Sequence, residues 1–158
     1  MVAQVFPGLD DVVAAAKKPS RRANGGQGMR WCRSERRLAL YLRDGLACVW
    51  CGSTIESGAT LTLDHIIPYA AGGGTWGNGG NENSNLLTAC RRCNSSRGRR
   101  TIEDFAQSVA GYVNHGVRPD AILAHIEMTR RRAVDVKAAK ALIARRGTFA
   151  AACRKEQQ

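Results

Sequence analysis

The sequence predicts an α+β fold, in which a small two-stranded sheet and one short helix are held together by four cysteines, with further helices on both sides. Two C-x-x-C pairs, Cys48/Cys51 and Cys90/Cys93, bracket the strongest strand pattern of the chain at residues 60–67. That segment is rich in Leu, Ile and Thr, which favour strands, and a proline follows it. After residue 100 the signals indicate helices, so the sheet is expected to stay small.

Composition points to a polyanionic partner. The chain has 158 residues with 24 Lys and Arg against 13 Asp and Glu, a formal charge of +11 and a pI near 10.1. Such a charge favours phosphate-rich partners through counterion release. By itself it does not separate DNA from RNA or from an anionic membrane surface. The aromatic content of 6% argues against one large core, so a cross-link would help the fold.

The segment organisation predicts three parts. Residues 1–30 read as a flexible basic arm with a short helix at 10–16, and this arm would either track a phosphate backbone or serve as a soluble tail. Residues 31–100 carry both C-x-x-C pairs, and residues 101–158 are expected to form a helical extension. No apolar run is long enough for a bilayer, and the N-terminus lacks the pattern of a secretory signal. We therefore expect a cytoplasmic protein, in which thiols stay reduced.

Helix and strand signals follow in order along the chain. Ser34 is expected to cap a helix to about residue 44, closed by Gly45, with Leu38, Leu42 and Tyr41 on its buried face. The remaining predictions are a short second strand beginning at Leu86 and Leu87, and helices at 91–97, 101–113, 119–132 and 134–146.

The two C-x-x-C pairs predict a structural zinc site. Four thiolates match a closed tetrahedral centre, which supports a fold and does no chemistry. The intervening segment, 52–89, is longer than in a usual zinc ribbon, so we expect the metal to close the base of an inserted element. A redox role is the competing interpretation, although no thioredoxin-like pattern accompanies the pairs. Cys32 and Cys153 are expected to be partly buried free thiols.

Asp64 and His65 are neighbours at the end of the first predicted strand. Successive residues of a strand point to opposite faces, so the two side chains can take different tasks unless the strand bends. A carboxylate binds a hard cation, and an imidazole that titrates near neutrality accepts a proton from water. An adjacent Asp and His are more often structural, so the pair needs support from its surroundings.

Those surroundings resemble a known family. The string LDHIIPYAAGG…NSNLLTACRRCN is similar to the HNH endonucleases, in the form whose ββα-metal unit is framed by zinc-binding cysteines, as in small phage-type HNH proteins. The resemblance covers residues 46–100. It implies that Asp64 is the metal-binding acid and His65 the general base. It also implies that Asn85 braces the loop and helps to orient His65. Asn94 stands where the family usually has a metal-binding His.

The resemblance implies a one-metal mechanism. An amide oxygen at Asn94 is a hard ligand, so with Asp64 it should favour Mg²⁺ or Mn²⁺, unless Asn94 merely caps its helix. Expected products carry 5′-phosphate and 3′-hydroxyl ends, and a monomer should nick one strand. Five arginines next to the motif are expected to clamp phosphates, the alternative being a solvated helix face. They are Arg91, Arg92, Arg97, Arg99 and Arg100.

The sequence thus favours a DNA endonuclease. A non-catalytic zinc-knuckle module that binds nucleic acid is the alternative, and an RNA-directed nuclease is a third interpretation. DNA is the expected partner, and either a homodimer or a phage packaging protein would be compatible with it. His125 lies outside the motif and is expected at the surface, whereas Trp50 is expected to pack the core or the knuckle.

Overall fold

The structure, a computed structural model, describes residues 31–67, 80–112 and 116–155. The helix expected at 10–16 and most of the loop that precedes Asn81 lie outside these ranges. The chain divides into two compact units, Met1–Trp31 and Cys32–Gln158. Every element named below belongs to the second unit, so the helices after residue 100 share one unit with the sheet.

The predicted α+β class is confirmed, because the described residues combine one small sheet with several helices. None of these helices has the length and apolar character needed to cross a membrane. The helix predicted at 91–97 has the bounds expected, and the other predicted helices agree to within two residues. The elements in order are α1 (Ser34–Arg43), β1 (Leu61–His65), β2 (Leu86–Cys90), α2 (Arg91–Arg97), α3 (Ile102–Tyr112), α4 (Pro119–Arg130), α5 (Val136–Arg146) and α6 (Phe149–Ala152).

Helix α1 differs from prediction in two details. Its N-cap is Arg33, and Ser34 is the first helical residue, whose hydroxyl donates to Glu35 instead of capping. Leu42 is 36% exposed, because the inward face of the helix is centred on Leu38 and Tyr41.

Strands β1 and β2 form an antiparallel pair in which Asp64 lies opposite Leu87 and His65 opposite Leu86. Paired residues of antiparallel strands share a face, and successive residues alternate. Asp64 and His65 therefore belong to opposite faces of the sheet, as the sequence predicted.

Two clusters of buried side chains cover the two faces of this sheet. One lies between the Cys48/Cys51 turn, β2, α3 and α4, and contains an edge-to-face contact between Trp50 and Phe105 at 4.8 Å between ring centroids. The other lies between α1, β1, α5 and α6, and includes both Leu38 and Ala139. The short α6, which the sequence did not predict, begins where the Thr148 hydroxyl accepts from Ala151 N–H. Trp50 is buried, as expected.

A buried ion pair fastens α1 to the start of β2. Arg43 and Asp44 are adjacent, have fully buried side chains, and are in contact at 2.5 Å between Nε and Oδ1. The Asp44 carboxylate also accepts from Thr88 N–H at 2.7 Å. Arg43 donates in turn to the carbonyls of Asn83 (2.7 Å) and Leu86 (2.5 Å). The pair thereby links the C-terminal end of α1 to the segment that leads into β2.

We predict that Asp44→Ala destabilises the fold by about 3–5 kcal/mol, because it leaves the Arg43 guanidinium buried without a counter-charge. Urea unfolding of metal-loaded protein measures the change. Asp120→Ala is the matched control, since it removes the acid of an exposed Arg–Asp pair in α4 and should have a far smaller effect. Equal effects of the two substitutions would contradict a structural role for the buried pair.

Candidate active site and metal centre

The first cysteine pair lies in a tight turn between α1 and β1. An isolated bridge joins Ala47 to Thr54, and Gly52 N–H donates to the Cys48 carbonyl at 2.8 Å. Gly52 has a φ of 73°, a left-handed conformation that favours glycine. The turn is held against the sheet because Val49 N–H donates to the Thr88 carbonyl at 2.9 Å.

All four predicted cysteines meet at one point. Cys90 ends β2, Cys93 lies in the first turn of α2, and their sulfurs join those of Cys48 and Cys51 within 4.8 Å of one another. The Cys51 and Cys90 sulfurs are 3.8 Å apart. Sulfurs around a tetrahedral zinc with Zn–S bonds of about 2.3 Å are separated by about 3.8 Å. The donor set therefore fits a metal ion, and zinc is an ion that it could hold.

Contacts within this cluster shift the pKa values of its thiols. A hydrogen bond with Cys93 lowers the pKa of Cys48 to about 5, and the same bond raises the pKa of Cys93. Burial raises the pKa of Cys90. Binding of a metal requires thiolates, so loading this cluster releases protons. The two remaining cysteines, Cys32 and Cys153, are free as expected, although both are fully buried.

Asp64 is buried under the cysteine turn, where two side chains contact its carboxylate. Arg97 donates to Oδ1 at 2.6 Å, and Trp50 Nε1 donates to Oδ2 at 3.3 Å. Burial raises the pKa of the Asp64 carboxyl, and the charge of Arg97 opposes that rise. The negative charge at this position is therefore already paired within the protein.

Arg97 has an internal role that the sequence did not predict. Its side chain is 1% exposed and donates to the Asp64 carboxylate and to the carbonyls of His65 (2.6 Å) and Ile66 (2.5 Å). Its guanidinium carbon lies 6.0 Å from the ring centroid of Trp50. This packing is incompatible with the expected phosphate contact by Arg97, because the donors point into the protein.

The other four arginines of the predicted clamp are exposed. Arg100 is also partly engaged, since it donates to the Ser108 hydroxyl at 2.9 Å and lies over the Phe105 ring at 4.8 Å. Arg91, Arg92 and Arg99 thus remain the most accessible guanidinium groups beside the motif.

His65 is half-buried at the end of β1, and its Nε2 lies 2.9 Å from Oδ1 of Asn81. Sequence reasoning missed this contact. The run NENSN has asparagines at 81, 83 and 85, so spacing alone did not show which of them reaches the imidazole.

Asn85 is buried and joins the two ends of the segment that links β1 to β2. Its Oδ1 accepts from Ile67 N–H at 2.9 Å, and its Nδ2 donates to the Gly80 carbonyl at 2.8 Å. Its own carbonyl accepts from Ile66 N–H at 2.8 Å. These bonds link residues on both sides of the loop, and the role in orienting His65 that the resemblance implies for Asn85 stays a prediction.

Asn94 lies on α2, on the same side of the sheet as Asp64. Its amide nitrogen donates to the Thr62 hydroxyl and to the Leu63 carbonyl, both at 3.0 Å. Thr62 and Asp64 are two residues apart on β1, so their side chains share a face. Because the nitrogen is used in these bonds, Oδ1 is the atom of Asn94 that could bind a metal ion.

Helix α1 contributes a further residue that the sequence analysis did not single out. Arg36 donates through Nε to the Asn83 side-chain oxygen at 2.9 Å and through Nη2 to the Asn81 carbonyl. This arginine lies far in sequence from the LDHIIP motif, so no local pattern singles it out. Only the packing of α1 brings it to the loop.

Known proteins resemble the part of the chain that carries the candidate site. Residues 48–109 match the model of a family described as HNH endonuclease. The chain is 37% identical over 82 residues to the CRISPR-associated endonuclease Cas9 of Actinomyces naeslundii, covering 52% of this chain and 7% of that protein. It is 34% identical over 68 residues to the corresponding protein of Corynebacterium diphtheriae, covering 43% and 6%. The chain therefore spans less than a tenth of the length of these curated relatives.

Among solved structures, the type II-C Cas9 enzyme of Actinomyces naeslundii aligns with 87% of this chain and 13% of its own, at 25% identity and a TM-score of 0.42.

We predict that Arg97→Met destabilises the protein by about 3–5 kcal/mol, because Asp64 is left buried without its cation. Chemical unfolding measures the change in the free energy of unfolding. Arg99→Met is the control, because it removes the same charge from an exposed position and should change this free energy by only about 0.5 kcal/mol. The double variant Arg97→Met/Asp64→Leu should be more stable than Arg97→Met alone. A double variant no more stable than the single one would argue against the ion pair.

Proposed function

We propose that this chain is a metal-dependent endonuclease that hydrolyses DNA phosphodiester bonds. The match of residues 48–109 to the HNH endonuclease family supports this proposal. The observation that carries the proposal is the placement of Asp64 and His65 at the end of β1, with Asn94 on the helix packed beside them. The arrangement offers a base on one side of the strand and oxygen ligands on the other.

Charge supports a nucleic acid as substrate. The chain carries a formal charge of +11, and Arg91, Arg92 and Arg99 are exposed around α2. Guanidinium groups contact phosphates in a bidentate manner, and such contacts weaken as salt rises. DNA is the substrate we propose, and competition between DNA and RNA for cleavage would separate the two polymers.

His65 is proposed as the general base. An imidazole that is neutral near pH 7 takes a proton from a water molecule in line with the scissile bond. A new P–O bond then forms to the water oxygen while the bond from phosphorus to the 3′ oxygen breaks. The leaving oxygen takes a proton from solvent, which gives a 5′-phosphate and a 3′-hydroxyl.

Asp64 and Asn94 would hold the catalytic ion, and their oxygens suit Mg²⁺ or Mn²⁺ in type. When bound, such an ion supplies positive charge that stabilises the phosphate and the leaving oxygen. Arg97 already contacts Oδ1 of Asp64 at 2.6 Å. Its charge should therefore lower the affinity of this carboxylate for a divalent ion, so we expect weak binding that nucleic-acid phosphates strengthen.

The cluster of four cysteines is proposed to hold zinc in a structural role. Its four sulfurs match a tetrahedral zinc site in number, and soft thiolates favour zinc over the hard ions assigned to Asp64.

A non-catalytic nucleic-acid-binding module is the second candidate. The observation that favours it is the pairing of Asp64 with Arg97, because a carboxylate neutralised within the protein does not require an ion. Calorimetric titration with Mn²⁺ in the presence of an uncleavable DNA analogue separates the candidates. Binding that Asp64→Asn abolishes supports the nuclease, and the absence of binding supports the module.

The test of the proposed function is cleavage of supercoiled plasmid with Mg²⁺, Mn²⁺ or EDTA. We expect metal-dependent nicking by the wild type and a loss of about 10²–10⁴-fold in His65→Ala, the range attributable to a general base. Nicked product is expected of a monomer, whereas linear product would require either a dimer or two successive nicking events.

His125→Ala is the matched control, since it removes an exposed imidazole from α4 and should cleave at the wild-type rate. Cleavage by His65→Ala at that same rate would exclude His65 as the base. Failure of folded, zinc-loaded wild type to cut DNA with any metal would favour the binding module.

Zinc removal should unfold the protein, because folding of such a site and metal binding are coupled. Metal analysis is expected to give one zinc per chain in the wild type and none in Cys51→Ala, with a lower melting temperature. Cys153→Ala, which removes a buried thiol outside the cluster, should keep the zinc. Equimolar zinc in Cys51→Ala would contradict the proposed site.

A further inference from the structure

We propose that Asn81 is a positioning residue for His65 and that its side chain determines which imidazole nitrogen acts as the base. In this arrangement Oδ1 of Asn81 accepts a hydrogen bond from Nε2–H of His65. The lone pair that takes the proton from water then belongs to Nδ1. This inference rests on the proposed function, since it assigns the atom through which the same site acts.

The geometry of the contact is the first support. The distance between Nε2 and Oδ1 is 2.9 Å, well within the range of a hydrogen bond. An amide oxygen only accepts, so the nitrogen facing it carries the proton. A neutral imidazole has one N–H, and its other nitrogen is then unprotonated. The bond therefore selects one of two tautomers.

The position of Asn81 is itself held from outside the loop, which is the second support. The half-buried Arg36 of α1 donates to the Asn81 carbonyl and to the Asn83 side chain. Arg43, at the C-terminal end of the same helix, donates to the Asn83 carbonyl at 2.7 Å. Two arginines of one helix thus fix the backbone of residues 81–83, and a fixed backbone places the amide at the imidazole.

The backbone at His65 is fixed independently, which is the third support. Arg97 donates to the His65 carbonyl at 2.6 Å, and the Asn85 carbonyl accepts from Ile66 N–H at 2.8 Å. Both partners of the hydrogen bond between His65 and Asn81 therefore stand on anchored main chain. Pre-organisation of this kind keeps a general base in its productive orientation without a conformational search.

The test compares two near-isosteric variants, Asn81→Asp and Asn81→Leu. A carboxylate also accepts from Nε2–H, whereas a leucine offers no acceptor. ¹⁵N chemical shifts of the imidazole report the tautomer without any need for activity. The chain has three histidines, so ¹⁵N-histidine labelling gives few signals, and His65→Ala assigns the one required. Spectra are recorded at a pH at which the ring is neutral.

We expect the Nε2–H tautomer in the wild type and in Asn81→Asp, and a mixture in Asn81→Leu. In the plasmid assay Asn81→Leu should lower kcat about 10- to 100-fold with little change in KM, as is typical when a partner that orients a site residue is lost. Ser84→Ala, an exposed position of the same loop, should behave as the wild type in both measurements.

A wild type in the Nδ1–H form, or an Asn81→Leu variant with an unchanged tautomer, would overturn the inference even if the protein cleaves DNA. The expected tautomers in a protein that never cleaves DNA would support the positioning role and reject the proposed function. The two failures are therefore distinguishable.

The role of Arg36 in holding the loop is tested by Arg36→Met. Arg33→Met is the control, because it removes the same charge from an exposed position next to the same helix. Arg36→Met should broaden the tautomer signal and lower kcat, and Arg33→Met should change neither. Identical behaviour of the two variants would overturn the role given to Arg36.

Discussion

The buried contact between Arg97 and Asp64 is the interaction on which the geometry of the site depends. It joins α2 to the end of β1, and the same guanidinium holds the carbonyls of His65 and Ile66. Burying two charges is costly unless they are paired and hydrogen-bonded. Trp50 can therefore pack over this pair only while both partners are present. The strand end that carries Asp64 and His65 is consequently fastened to α2.

Arginines from two helices hold the site from opposite sides of the sheet. Arg97 reaches β1 from α2, and Arg36 and Arg43 reach the loop before β2 from α1. Guanidinium groups suit this task because five donors in a plane bind several carbonyls at once. Among the described residues the sheet has two strands, and charged side chains that cross between elements supplement the two clusters of buried side chains. The cysteine cluster closes the other end of the sheet.

The same construction places constraints on the proposed catalysis. Asp64 and His65 lie on opposite faces, so an ion and a base assigned to them act on the substrate from different sides of one strand. Because the charge of Arg97 lowers the affinity expected of Asp64 for a divalent ion, the proposed mechanism requires the phosphate of the nucleic acid to contribute to metal binding. A site that assembles fully only with nucleic acid present is consistent with this electrostatic balance.

The sequence by itself determined the class of fold, the limits of α2, the four cysteines that converge on one point and the opposite orientation of Asp64 and His65. These depend on local spacing: C-x-x-C pairs, strand alternation and helix termini. The tertiary structure alone decided that Arg97 is buried, that Asn81 reaches His65, and that Arg36 and Arg43 hold its loop. Arg36 and Asn81 are distant in sequence, and no local pattern distinguishes an arginine that faces solvent from one that crosses to a neighbouring element. Such contacts arise only when α1 packs against the sheet, because packing decides which of many similar polar side chains meet.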